Sequence, residues 1–211
     1  NGTFITHMKI PAFLMTLGMQ FALKGVAMWI SDTKSVPIYH KTFNHIFGYS
    51  DVFGIPVLLI WTIVFVIIGV ILLRLRPFGR KVLAVGGNAT SAKYSGIKVI
   101  PIKWTAFVIS GMTATLAGVL LSSRMNTGNS VYGDTTGMLV NCGVVIGGTS
   151  FAGGEGGILQ SFIGLMAVQM LSTCMSALSV DGFWQKLIEG LMIVAIIAAD
   201  CYSRKRKREN V

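Results

Sequence analysis

The side chains that could do chemistry are few and poorly placed for it. The 211 residues hold eight Asp and Glu, three His and three Cys. Acid–base catalysis needs two titratable groups facing each other across a pocket. Asp32, Asp51, Asp134, Glu155, Asp181, Asp200 and Glu209 are scattered instead, most of them at the ends of apolar runs. His7, His40 and His45 have no accompanying Cys or carboxylate cluster, and Cys142, Cys174 and Cys201 show neither a CxxC pair nor ligand spacing. They read as surface imidazoles and small apolar packing residues, and no metal is expected. Glycine clusters also cradle phosphates, but Gly153-Gly154-Glu155-Gly156-Gly157 has no preceding strand and no lysine of a phosphate loop. ATP binding by this chain is not expected, nor is any bond chemistry.

Glu189 is the one carboxylate inside an apolar run, and two readings stand: an ion pair with Lys186 at helical spacing, or a group facing a polar pathway. The surrounding chain sets the class. With 53% hydrophobic and 12% charged residues and a mean hydropathy of +0.68, it has more apolar surface than a soluble fold of this length buries. It reads as an all-α, polytopic membrane protein. The net charge of +10 comes from basic residues beside apolar runs, not along an aromatic-studded polar face, so it marks membrane orientation and not nucleic acid.

Apolar runs over 11–31, 55–73, 104–123, 158–178 and 183–199 are each close to the ~20 residues that cross ~30 Å of hydrocarbon. Lys24, near the far end of the first, either snorkels to the interface or touches substrate. Gly111 and Gly118 lie seven apart on nearly one face of the third run, which suits close helix packing. Between the second and third runs, Arg74 to Lys103 holds Arg74, Arg76, Arg80, Lys81, Lys93, Lys98 and Lys103 with no acidic residue. This stretch must lie in water on the positive, cytoplasmic side. Within it Gly86 and Gly87 precede a short polar helix capped by Asn88, followed by Gly96 and a stop at Pro101. Such an element is the usual docking point for a cytoplasmic partner.

The basic tail within 201–211 belongs on the same side, so an even number of crossings separates it from Lys103. The short segment 136–150 must then cross as well, giving about six spans; a re-entrant segment is the alternative and breaks the parity. Lys9 joins the inner basic residues, while Lys34, Lys41 and Arg124 fall in outer loops. The glycine loop is then inside, as a hinge or gate or as a site of tight helix packing.

Phe78-Gly79-Arg80, Val85-Gly86-Gly87-Asn88, Ala92 and Ser95-Gly96-Ile97 resemble the cytoplasmic loop of permease subunits from ribose-type monosaccharide ABC importers. Three further stretches are similar to that family in the same order: Pro11-Ala12-Phe13 with Thr16-Leu17-Gly18; Val144 to Ser150 with Gly153, Gly154 and Gly156; and Phe183-Trp184-Gln185 with Gly190. The resemblance covers nearly the whole chain and implies that further family helices precede Asn1. It implies a single permease domain over 1–211 whose loop 76–103 couples to a separate ATPase through Gly86, Gly87, Asn88, Ala92, Ser95, Gly96 and Ile97. The implied partners are a second permease subunit, identical or not, an ABC ATPase that carries the ATP and Mg, a periplasmic sugar-binding protein and membrane lipid, in a bacterial inner membrane.

One stretch departs from the family. Gly137 to Cys142 lacks the carboxylates usual there and sets Asn141 among apolar residues, which implies a substrate other than ribose or one half of a heteromeric pair. For a sugar pathway Thr16, Gln20, Asn141 and Gln169 are the candidates, each with polar packing between helices as its alternative. A secondary transporter or channel would need ionisable groups at mid-membrane or paired broken helices, and apart from Glu189 neither is evident. A transport-free scaffold would not need the docking loop.

Overall fold

The computed structural model describes residues 1–8, 10–39, 41–48, 51, 52, 54–133, 136–150 and 153–209. Lys9, His40 and Asp134 lie outside them, as do the side chains of Lys41, Asp51, Asp200, Cys201, Glu209 and the basic tail. In chain order the helices are α1 (Gly2–His7), α2 (Ala12–Ser31), α3 (Lys41–Phe47) and α4 (Val57–Val70), which runs on as a π-helical turn (Ile71–Leu75). Then follow α5 (Pro77–Gly87), α6 (Ala89–Tyr94), α7 (Val99–Met125), α8 (Thr136–Ile146), α9 (Ile158–Ala177) and α10 (Gly182–Glu209). Two short antiparallel pairs complete it, β1 (Val36–Pro37) with β4 (Thr127–Gly128) and β2 (Asp51–Val52) with β3 (Ile55–Pro56).

Among the described residues, four helices are long and apolar enough to cross a membrane: α2, α4 with its π turn, α7 and α9. At most 17% of their apolar windows is buried within the chain. That much open apolar surface needs lipid or further apolar helices against it. The expected crossing over 136–150 becomes an 11-residue helix, α8, which rises ~16 Å, about half the hydrocarbon thickness. The run over 183–199 lies in the 28-residue α10, whose backbone continues through the basic tail to Glu209.

Pro101 corrects a sequence expectation. It was read as the stop after the short helix, yet it lies in the first turn of α7, where proline's missing N–H would have had no helical partner anyway. The stop is made upstream by Gly96. Pro77 opens α5 in the same manner.

The chain divides into two compact units. The first comprises Asn1–Ile67 and Ser95–Tyr132. There a polar latch joins the segment after α2 to the end of α7. Asn44 Nδ2 donates to Asn126 Oδ1 at 2.6 Å and to the Ile38 carbonyl at 3.3 Å, and Asn44 Oδ1 accepts from Ser123 Oγ at 3.4 Å. Ser123 is 0% exposed, with Gly48 against its backbone, where a Cβ would come 2.9 Å from the Ser123 oxygen. An aromatic ladder, Phe43–Phe47–Trp61–Phe65, with centroid spacings of 5.4, 5.9 and 5.8 Å, ties α3 to α4. Asn44→Ala should therefore cost about 1–3 kcal/mol, since it strips a buried hydroxyl of its acceptor, and a lowered thermal midpoint of the detergent-solubilised protein checks this.

The second unit comprises Ile68–Tyr94 and Gly133–Val211. Its core is α8 against α9, with α10 packed on both. Glu189 is settled here. Its Oε2 pairs with Lys186 Nζ at 3.1 Å, its Oε1 accepts from Ser172 Oγ of α9 at 3.2 Å, and its side chain is only 12% exposed. The pair with Lys186 is the one the helical spacing suggested, and the bond from Ser172 in addition joins α10 to α9. A Cβ on Gly111 or Gly118 meets nothing within 4 Å among the described residues, so this face of α7 stays open to a helix from outside them.

Candidate functional site

The basic segment is built by a helix that folds back. Arg76 takes an extended conformation (φ −94°, ψ 145°) and Pro77 starts α5 with its φ already suited to the first turn. Gly79, buried, lies directly against the Leu73 carbonyl, a place where no side chain fits. α5 thus stays tight on the π turn that ends α4, with Val85 buried two turns further on.

After Gly87 the chain bends at extended Asn88, whose Oδ1 accepts from the backbone N–H of Thr90 and of Ser91, each at 3.0 Å. This is the cap expected from sequence. It opens α6, which packs back on α5 and buries Ala92 to 5% exposure, while Tyr94 is 88% exposed and Lys93 is exposed beside it. Exposed Ser95 and Gly96 follow, then half-buried Ile97. Gly96 has φ +80°, which a side chain would disfavour and which turns the chain out of α6.

The second glycine cluster begins where α8 ends. Gly148 N donates to Val145 O at 2.8 Å and Thr149 N to Val144 O at 3.1 Å, a Schellman closure with Gly148 at φ +86°. Thr149 and Ser161 share a hydroxyl hydrogen bond of 2.8 Å, which pins the loop to the first turn of α9. Within the same unit this loop meets the end of α5. A Cβ on Gly86 would come 2.8 Å from Gly154 N, and one on Gly154 would come 2.5 Å from Gly87 Cα. The two glycine pairs of the sequence are therefore backbone against backbone, and whichever side of the membrane one faces, the other faces too. Of the two sequence readings of the glycine loop, this geometry is that of tight packing.

Beside the contact is a cavity of about 290 Å³ lined by Val70, Leu73, Arg74, Leu83 and residues 156–160. Its lining is mainly apolar, with Arg74 and Gln160 as the polar side chains. Thr16 is half-buried on α2, with its hydroxyl on the Phe13 carbonyl at 3.0 Å, and Gln20 is exposed one turn later. Asn141 on α8 and Gln169 on α9 are exposed. The first pair belongs to the first unit and the second pair to the second. Among the described residues no cluster of His, Cys, Asp and Glu could hold a metal ion.

Sequence reasoning missed the meeting of Gly86 and Gly87 with Gly153 and Gly154, and the Thr149–Ser161 bond behind it. The only signal was that two glycine pairs, far apart in sequence, were both assigned to the same side.

Residues 1–197 match the family described as the branched-chain amino acid transport system / permease component. The chain is 35% identical over 208 residues to the L-arabinose transport system permease protein AraH of Escherichia coli, covering 99% of this chain and 63% of that protein. It is 36% identical over 211 residues to the L-arabinose ABC transporter permease protein AraH of Azospirillum brasilense, covering 99% and 61%. With the ribose import permease protein RbsC of Bacillus subtilis the identity is 31% over 201 residues, covering 95% and 62%. The chain thus spans a little over three-fifths of the length of these relatives. No solved structure matches it significantly. The likeness to ribose-type sugar permeases, drawn above from four short motifs, extends along almost the entire chain, and the matched proteins are permease components, not enzymes. This multi-pass membrane protein belongs to the family of transport-system permease components.

Proposed function

We propose that this chain is the membrane-spanning part of an ATP-driven importer of a monosaccharide or similar small polar solute, placed in a bacterial inner membrane. The observation that carries the reading is the capped helix α6. It is held on α5 through buried Ala92 and presents Lys93 and Tyr94 outward, a rigid cationic and aromatic projection suited to a groove on another protein. ATP and Mg then belong to a separate ABC ATPase, with Gly86, Gly87, Asn88, Ala92, Ser95, Gly96 and Ile97 forming the coupling element, and this chain needs no cofactor. The chain works beside a second permease subunit, under a periplasmic sugar-binding protein and within lipid. Nucleotide-driven closure of the ATPases would bias the permease between outward-open and inward-open states.

The relatives that transport L-arabinose or ribose support a monosaccharide as cargo. Thr16, Gln20, Asn141 and Gln169 supply the hydrogen-bonding groups such a cargo needs. Six crossings, with 136–150 as the short one, place both glycine pairs and the tail inside. The engagement of half-buried Glu189 by Lys186 and Ser172 speaks against its use as the ion-coupling carboxylate of a secondary transporter. The test is co-expression with the ATPase and binding protein of the adjoining reading frames. The three should co-purify and load vesicles with a monosaccharide only when ATP is present, and Lys93 and Lys98 should react with an impermeant amine reagent only from the cytoplasmic side. Labelling of either lysine from outside intact cells would end the proposal.

A further inference from the structure

Coupling elements are of use only if their displacement reaches the helices that line the pathway. By covalent connection alone, α6 reaches α8 and α9 only through residues 95–135. The structure offers a shorter route. The last turn of α5 lies on the loop between α8 and α9 with no side chain between: a Cβ on Gly86 would sit 2.8 Å from Gly154 N, one on Gly153 would sit 3.0 Å from the Gly86 oxygen, and one on Gly154 would sit 2.5 Å from Gly87 Cα. Backbone in contact with backbone has no rotamers to absorb a displacement, unlike a contact made by long side chains.

The loop in turn is tied to both helices. The Schellman closure at Gly148 fixes it to α8 and the Thr149–Ser161 hydroxyl pair fixes it to α9. Gly156 is pressed against Thr149, where a Cβ would meet the threonine Cγ2 at 2.6 Å. On the other side α5 is held to the π turn at Gly79 and carries α6. Each piece is short and doubly anchored.

We infer that the seam between Gly86-Gly87 and Gly153-Gly154 is the joint through which movement of the α5–α6 element is passed to α8 and α9. The inference rests on the coupling role proposed above and adds the receiver of the motion. Gly153, Gly154, Thr149 and Ser161 are then positioning residues of the transport cycle, although none of them touches solute or ATPase. A methyl group on Gly154 opens the seam from the loop side, while α5 and α6 keep all their residues.

The experiment uses the assembled transporter, with Ile163→Cys, exposed on α9, as a reporter in a background free of other cysteines. With Gly154 intact, ATP plus vanadate should change the rate at which Cys at 163 reacts with a maleimide. In Gly154→Ala, which alters no residue of the coupling element, the ATPase should still co-purify and hydrolyse ATP, the reporter should no longer respond to nucleotide, and uptake should fall by about tenfold or more. Thr149→Ala, which removes the hydroxyl tie together with the methyl beside Gly156, should lower uptake per ATP severalfold, and Thr149→Ser, which returns the hydroxyl alone, should restore it. A reporter still responding in Gly154→Ala, unchanged uptake in both Gly154→Ala and Thr149→Ala, or no response with Gly154 intact would overturn the joint while leaving the importer reading standing. Failure of the unaltered chain to recruit an ATPase would instead sink both.

Discussion

Replacing Gly164 with leucine is expected to remove the protein from the membrane fraction, with accumulation falling about tenfold or more. α8 and α9 cross at three glycines. A Cβ on Gly164 would land on the Gly143 carbonyl oxygen and within 2.5 Å of Gly147 N. From the other helix, a Cβ on Gly143 or Gly147 would come 2.8 Å from the Cα of Leu165 or Ser161 respectively. Every group obstructing Gly164 is main chain, so no rotamer change makes room, and α8 would have to lift off α9. Even the methyl of Gly164→Ala should cost about 1–3 kcal/mol, the usual range for overpacking. Leucine adds four carbons at a site where one does not fit. Fluorescence-detected size exclusion of a tagged protein would read both effects, with alanine intermediate and leucine lost. A Gly164→Leu protein that accumulates and elutes like the unaltered chain would mean that α8 and α9 do not cross here.

That crossing also shows where sequence reasoning ran out. Gly111 and Gly118 on α7 were a reasonable choice for close packing, because small residues seven apart lie nearly on one helix face. Gly143, Gly147 and Gly164 make the close contacts, while a Cβ on Gly111 or Gly118 meets nothing within 4 Å among the described residues. Spacing identifies a face that permits close approach, but it does not name the helix that arrives there. The same limit hid the seam between Gly86 and Gly154. Its two halves are separated by the whole of α6, α7 and α8, and only their common assignment to one side linked them.

Local features were read with more success because their causes are local. Asn88 caps α6 through its own side chain, and Lys186 reaches Glu189 across one turn, so each follows from a few adjacent residues. Four of the apolar runs became long helices near the expected bounds, α7 starting five residues early, since length and hydropathy decide a span without any partner. Pro101 was misjudged because proline suits both the residue after a helix and the first turn of the next one. With Gly96 already ending α6, only the second role was left. The π turn at Ile71–Leu75 has no mark in sequence that distinguishes it from a helix end.

Gly96→Pro is expected to abolish uptake while the protein still inserts, accumulates and binds its ATPase. Gly96 has φ +80°, whereas proline is held near −65°, so the turn after α6 must rebuild on another path. Most L residues at such an angle already pay roughly 1–2 kcal/mol, and proline cannot adopt it at all. Two structures that lie apart from the residue should survive. The Asn88 cap is made to Thr90 and Ser91, and no atom lies within 4 Å of a Cβ placed on Gly96, so the change meets no packed neighbour. What changes is the direction in which the chain leaves α6 and enters α7, and with it the angle at which Lys93 and Tyr94 are offered to a partner. A coupling element that has lost its angle but kept its side chains should leave ATP hydrolysis running without transport. Gly96→Ala, strained but not barred, should fall between, which separates a conformational cause from the loss of a side-chain contact that glycine never made. Uptake by Gly96→Pro at the unaltered rate would show that the turn carries no force, and the docking role of α6 would fall with it.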